Sequence, residues 1–352
     1  MEQYASTIKK IYNNLGENPK FLGFLLGYED VVKQFQRALE GGRLPHSWLF
    51  LGEDGLGKTT LCYALACLAL GYEGSLKWED AHRLSQNIVY RRVISRAHPE
   101  LHVLSLPITL DQIRSIKKRL LQTSVSDSWK VIILPRLDLL RHDCVNALLK
   151  IVEDPPEKSL FLFTAVHSAF PATLLSRCCV YPLRPWSKEV FFPRLKIVLN
   201  RLEICTDNIT VESNEFPQKF QDWIYAFTRG SLGKAVRILS SGKVDLIQRA
   251  WDFLNVSFHE GPCPLPFELA HHLYQNIDLF QEVVFLWAFD KLSQYFHQRK
   301  QCLLLDQLLR SIQIWFQQAK DFHMDPVFLV QKIISNVALI PQKSVFNTSI
   351  VA

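Results

Sequence analysis

The chain has 352 residues, 48% apolar and 21% charged, with a formal net charge of +6. Such values fit a globular protein of two or three domains at ~100–200 residues each. They permit contact with nucleic acid but lack the dense Lys/Arg clustering that would make it the default. No apolar run reaches the ~18 residues needed to span a bilayer, and Leu61–Leu70 reads instead as a buried helix. Met1–Lys10 has no apolar secretory core, so the cytoplasm is the expected compartment.

In chain order, residues 1–27 read as an N-terminal arm with a helix near Ala5–Tyr12. Asp30 is placed to cap a helix carrying Val31, Val32, Phe35 and Leu39 on one face, stopped by Gly41 and Gly42. Ser47–Leu51, an apolar run between Pro45 and Gly52, is predicted to be a strand. A Gly-rich turn and an apolar helix from Gly57 to Leu70 follow. Residues 71–97 carry no readable pattern. Leu101–Leu106 is predicted as a strand, Leu110–Leu121 as a helix, Lys130–Leu134 as a strand, and Cys144–Val152 as a helix ending before Pro155-Pro156. Leu160–Thr164 and Cys178–Tyr181 complete the strands. Strands alternating with helices imply a parallel sheet covered on both faces. Beyond Pro185 the periodicity is helical, with breaks at Asp207–Pro217, Gly230 and Gly261–Pro266. Trp223, Trp251, Trp287 and Trp315 in this half suit a core or an oligomer interface.

Chemistry concentrates at Gly52-Glu53-Asp54-Gly55-Leu56-Gly57-Lys58-Thr59, which follows the spacing G-x-x-x-x-G-K-[ST]. Gly52, Gly55 and Gly57 let backbone amides curl around phosphate oxygens. Lys58 can reach the terminal phosphates, and the Thr59 hydroxyl can ligate magnesium. The helix that starts there points its positive end at the anion. ATP is therefore a candidate ligand.

Hydrolysis needs more. A P-loop enzyme also places an acidic residue at the end of another strand to hold magnesium. Here Val131-Ile132-Ile133-Leu134 is followed by Pro135 and Arg136. Proline has no side-chain oxygen, and arginine is a permanent cation that repels the metal. Asp138 would need an unusual turn to substitute. Magnesium is thus expected to bind weakly or not at all. The eight cysteines (Cys62, Cys67, Cys144, Cys178, Cys179, Cys205, Cys263 and Cys302) include no C-x-x-C pair, so zinc is not expected. His98, His102 and His167 are too dispersed to suggest another metal.

The stretch from Lys130 through Asn146-Ala147-Leu148-Leu149-Lys150 to Glu153-Asp154-Pro155-Pro156 resembles the bacterial clamp-loader subunits of DNA polymerase III, proteins of the AAA+ type. Arg43-Leu44-Pro45-His46, His98-Pro99-Glu100, Ser176-Arg177-Cys178 and Gly230-Ser231-Leu232-Gly233-Lys234-Ala235 are similar to further motifs of that family, in the same order. The matches cover roughly residues 20–240.

The resemblance implies an AAA+ α/β P-loop domain with a parallel sheet (1–183), a small helical lid (184–242) and an all-α C-terminal collar that oligomerises (243–352). Within the family, loss of the Asp-Glu pair together with a retained Ser-Arg-Cys points to the delta-prime branch. That branch implies a regulatory subunit with no autonomous ATPase or polymerase chemistry. It would sit in a hetero-oligomeric ring with gamma/tau-type and delta-type subunits, loading a sliding clamp onto primed DNA.

Arg177 would reach, in trans, the ATP held by a neighbouring subunit. The ordinary alternative for Arg177 is a structural salt bridge. Many delta-prime subunits carry a four-cysteine zinc site, which residues 71–97 lack. Thr164 stands where the family places a phosphate-sensing polar residue, although plain hydrogen bonding is the commoner role. The lid's phosphate-contacting arginine aligns with Gly233, so Lys234 is expected to have no direct role. Two other readings stay open at this point: an active gamma/tau-like ATPase subunit, and a P-loop small-molecule phosphotransferase.

Overall fold

A computed structural model describes residues 27–74, 76, 86–121, 128–168, 170–202, 218–260 and 266–294, with positions 307, 310–312, 314, 315, 328, 329 and 331–337 beyond. The expected helix at Ala5–Tyr12 and the breaks at Asp207–Pro217 and Gly261–Leu265 lie outside the described residues. The chain divides into two compact units, Met1–Glu203 with Gly230–Arg237, and Ile204–Arg229 with Ile238–Ala352.

The first unit is built on five parallel strands: β1 (Ser47–Leu51), β2 (Leu101–Val103), β3 (Lys130–Leu134), β4 (Ser159–Ala165) and β5 (Cys179–Pro182). Their order across the sheet is β2-β3-β4-β1-β5. Every residue of β3 and β4 is buried, as expected for central parallel strands covered on both faces. Phe50 pairs with Thr164 and Leu134 with Phe163, which brings the C-terminal ends of β1, β4 and β3 side by side.

Side chains alternate between the two faces. Leu49, Ile132, Leu134, Phe161 and Phe163 pack on one side against α4 (Leu110–Leu121), through Ile113, Ile116 and Leu120, and α5 (His142–Val152), through Cys144, Leu148 and Ile151. On the other side, Trp48 meets Phe35 of α1 (Glu29–Glu40) at 5.5 Å between ring centroids. There α2 (Lys58–Ala69) lies against β3 and β4, buried along nearly its whole length.

Three local expectations are corrected. Asp30 does not cap α1: the helix starts one residue earlier, behind Tyr28. The Glu29 carboxylate instead accepts from the Gly27 N–H at 3.0 Å. The second strand ends at Val103, although Leu104 N–H still donates to Ile133 O. α5 starts at His142, two residues earlier than expected. Within the unread stretch 71–97, α3 (Ile88–Ile94) forms because the Asn87 side chain accepts from the Val89 and Tyr90 N–H groups. The short helix α6 (Ala172–Leu175) precedes β5, and α7 (Lys188–Leu202) follows it.

The described part of the second unit is helical, with α8 (Gln218–Thr228), α10 (Val244–Glu260), α11 (Phe267–Gln275) and α12 (Ile277–Gln294). Helix α9 (Leu232–Ser240) begins in the first unit. Trp287 of α12 is fully buried 5.5 Å from Phe258 of α10, and its N–H donates to Asn255 Oδ1 at 3.1 Å. Trp223 stacks on Phe227, which meets Trp251 edge-on. These three tryptophans are therefore core residues. No described helix is long and apolar enough to cross a membrane.

Phe161 is wholly buried and stacks on Phe163 in the central strand. Phe161→Ala is expected to destabilise the first unit by ~3–5 kcal/mol. A lowered denaturant midpoint, followed by circular dichroism, checks it.

Candidate functional site

The Gly-rich loop leaves the end of β1 and enters α2 through Gly57, whose backbone is left-handed (φ +82°). Its carbonyls from Gly52 to Gly57 all accept hydrogen bonds. Lys58 Nζ donates to Gly52 O at 2.5 Å and Glu53 O at 2.7 Å. Ser231 Oγ donates to Asp54 O at 3.0 Å, Gly233 N–H to Gly55 O at 2.9 Å, and Tyr28 Oη–H to Leu56 O. Leu61 N–H takes Gly57 O as the first helical bond. By contrast, among the described residues no acceptor takes the N–H groups of Asp54 through Thr59. Engaged carbonyls beside free amides suit an anion nest at a helix N-terminus.

The start of α9 completes the loop's support. Gly233 sits so close that a Cβ there would lie 2.6 Å from Gly55 O, and a Cβ on Gly55 would collide with Ser231 Oγ. Lys234 pairs with Glu53 at 3.3 Å. Its charge therefore serves the loop's outer side. Thr59 is exposed, so its hydroxyl is accessible. Lys58 is 6% exposed. Burial lowers its pKa, Asp54 opposes the shift, and nearby Arg136 adds to it.

Arg136 occupies the position where an acidic residue would hold magnesium. Its backbone is left-handed (φ +50°), at a cost of roughly 1–2 kcal/mol, and its N–H donates to Thr164 Oγ1 at 3.1 Å. Thr164, at the end of β4, thus hydrogen-bonds the backbone of the β3 loop. The guanidinium forks onto Asp138, with Nε 3.2 Å from Oδ1 and Nη2 2.9 Å from Oδ2. Its Nη1 reaches Asp54 Oδ2 at 3.1 Å. Asp138 Oδ1 also accepts from the Val166 N–H at 3.2 Å. Both Asp138 oxygens are therefore occupied, and a fixed cation lies beside them. Magnesium does not fit this arrangement. Among the described residues no group of three His, Cys, Asp or Glu side chains is placed to hold a metal.

Arg177 lies apart from this cluster, in the turn between α6 and β5. Its Nη2 pairs with Glu153 at 3.0 Å and its Nη1 donates to Thr173 O at 2.7 Å, with the side chain 36% exposed. The salt bridge considered as the ordinary alternative is thus present within the chain. Asp54, Ser231, Gly233 and Tyr28 are site residues that the motif spacing did not single out. Asp54 fills an unrestricted position of the loop pattern and Tyr28 carries no signal, whereas Ser231 and Gly233 lay within a quoted motif.

Burial alone would raise the Asp138 pKa, but the Arg136 and Val166 hydrogen bonds prevail and hold it below the usual carboxylate value. A depressed folded-state pKa stabilises the fold above the unfolded value, and that stability is lost as pH falls through the folded one. The stability difference between the native chain and Asp138→Asn is expected to be ~1–3 kcal/mol at neutral pH. Its pH-dependent part should fade below pH ~4, as paired denaturation curves across pH would show.

Residues 27–187 match the family model described as DNA polymerase III, delta subunit. Among curated relatives, the gamma subunit of Buchnera aphidicola from Acyrthosiphon pisum is 27% identical over 199 residues, 55% of this chain and 54% of that protein. The delta-prime subunit of Haemophilus influenzae is 30% identical over 175 residues, 47% of this chain and 51% of its own length. The delta-prime subunit of Bacillus subtilis is 28% identical over 169 residues, covering 47% and 50%. The chain thus spans little more than half the length of these relatives. A gamma subunit-related protein of Thermotoga maritima has a similar structure at TM-score 0.41 and 15% identity, over 87% of this chain and 98% of that one. Over its P-loop region the chain is thus similar to clamp-loader subunits of DNA polymerase III, with gamma and delta-prime relatives standing equally near.

Proposed function

We propose that this chain is a delta-prime-like regulatory subunit of the DNA polymerase III clamp loader, acting in the cytoplasm. It joins gamma/tau-type and delta-type subunits in a hetero-oligomeric ring that places a sliding clamp on primed DNA. Its P-loop, through Gly52, Gly55, Gly57, Lys58 and Thr59, binds ATP without hydrolysing it. The proposed division is a P-loop domain (1–183), a lid (184–242) and a collar (243–352).

One observation carries this reading: the post-β3 position that should coordinate magnesium holds Arg136, paired to Asp54 and Asp138. The two carboxylates nearby are both paired with that guanidinium and not set to position a metal or polarise water, so the contribution to catalysis moves to Arg177. Its partly exposed guanidinium is held ready by Glu153 and the Thr173 carbonyl. In the ring it exchanges Glu153 for a phosphate oxygen of the neighbour's ATP, where a planar fork suits the charge that builds during transfer.

A second reading, an active gamma-type ATPase, draws on the intact loop and the equal nearness of gamma relatives. Turnover by the chain alone would favour it.

In a reconstituted complex, Arg177→Ala is expected to leave folding and assembly intact. It should lower DNA-stimulated ATPase by removing ~10³–10⁵ in rate at one neighbouring site. Arg177→Lys should recover little. Unchanged ATPase in the mutant complex would refute the trans role.

A further inference from the structure

Asp54 stands between two cations. Its Oδ1 is 4.0 Å from Lys58 Nζ, and its Oδ2 is 3.1 Å from Arg136 Nη1. An anionic group therefore already sits where Lys58 and Arg136 converge, beside the loop whose amides from Asp54 to Thr59 are free. That carboxylate is 47% exposed and belongs to a short side chain, so it can rotate into solvent. Arg136 is different. Its Nε and Nη2 are fixed on the 6%-exposed Asp138 carboxylate, which leaves Nη1 as the arm that faces the loop. A divalent cation held by Asp138 would have to displace this guanidinium and strip Asp138 of its bonds.

We propose that the P-loop takes a nucleoside triphosphate without magnesium, with Arg136 as a built-in cation and Asp54 as an internal counter-anion that the phosphates displace. The proposal rests on the nucleotide-binding reading above. A phosphate replacing the Asp54 carboxylate gains Lys58, Nη1 of Arg136 and the amide nest at once. The site is close to neutral before binding, because Asp54, Asp138 and Glu53 balance Lys58, Arg136 and Lys234. Asp54 thereby sets a threshold against weakly charged anions.

Titration calorimetry of the full chain with ATP, in millimolar magnesium and separately in excess EDTA, tests this. The expected dissociation constants agree within ~3-fold. Asp54→Asn is expected to tighten metal-free binding ~3–10-fold by removing the competing charge. Arg136→Ala is expected to weaken it ~10-fold or more. Should Arg136→Ala fail to fold, judged by circular dichroism, the loop variant Asp54→Asn still decides, because Asp54 is half-exposed. Binding that needs magnesium by ~10-fold or more, or Asp54→Asn binding no tighter than the native chain, would overturn the proposal alone. No binding under either condition, by the native chain and Asp54→Asn alike, would overturn the nucleotide-binding reading with it.

Discussion

The Arg136 guanidinium, shared between Asp138 and Asp54, ties together the three parts of the first unit that converge at the C-terminal ends of the strands. Asp138 follows β3 and also accepts from Val166 beyond β4, while Asp54 belongs to the loop after β1. Because β4 lies between β3 and β1, these ends are neighbours only through the sheet's crossover order. Thr164 fixes the arrangement from the middle strand by accepting the Arg136 N–H. A left-handed arginine backbone is an unfavourable conformation, and here two carboxylates and a hydroxyl hold it in place.

This constraint separates two properties that P-loop enzymes usually combine. Phosphate recognition depends on backbone amides and Lys58, and those are supported from outside by Tyr28, Ser231 and Gly233. Hydrolysis depends on a carboxylate and metal beyond β3, and that position carries a cation. The P-loop region is similar to gamma and delta-prime subunits of DNA polymerase III. The proposed regulatory role draws on a well-supported phosphate loop, carboxylates paired with Arg136 and a partly exposed Arg177.

Much of the sheet was legible because its central strands are uninterrupted apolar runs bounded by Gly or Pro, as at Ser47–Leu51 and Lys130–Leu134. The P-loop was legible because glycine spacing and a following lysine serve one geometric purpose. Helix α3 was not, since it is short and its signal is one Asn87 cap inside an otherwise featureless stretch. The start of α1 was misplaced because Asp30 and Glu29 are both acceptable first-turn residues. Only the local turn at Gly27, whose N–H donates to Glu29, shows which carboxylate is used. The sequence revealed that Arg136 replaced an acid, but not that Asp54, 82 residues away, would meet it. Likewise Ser176-Arg177-Cys178 and Glu153-Asp154-Pro155-Pro156 were each readable as motifs. Their joining through the Arg177–Glu153 pair depends on how α5 and α6 pack.

The most direct measurement is single-turnover ATP hydrolysis by the purified chain alone, with saturating magnesium and protein in excess over nucleotide. If Arg136 has displaced the catalytic metal position, phosphate release does not exceed the protein-free rate. Release above that rate, abolished by Lys58→Ala, would show that the loop hydrolyses ATP itself and would contradict the account.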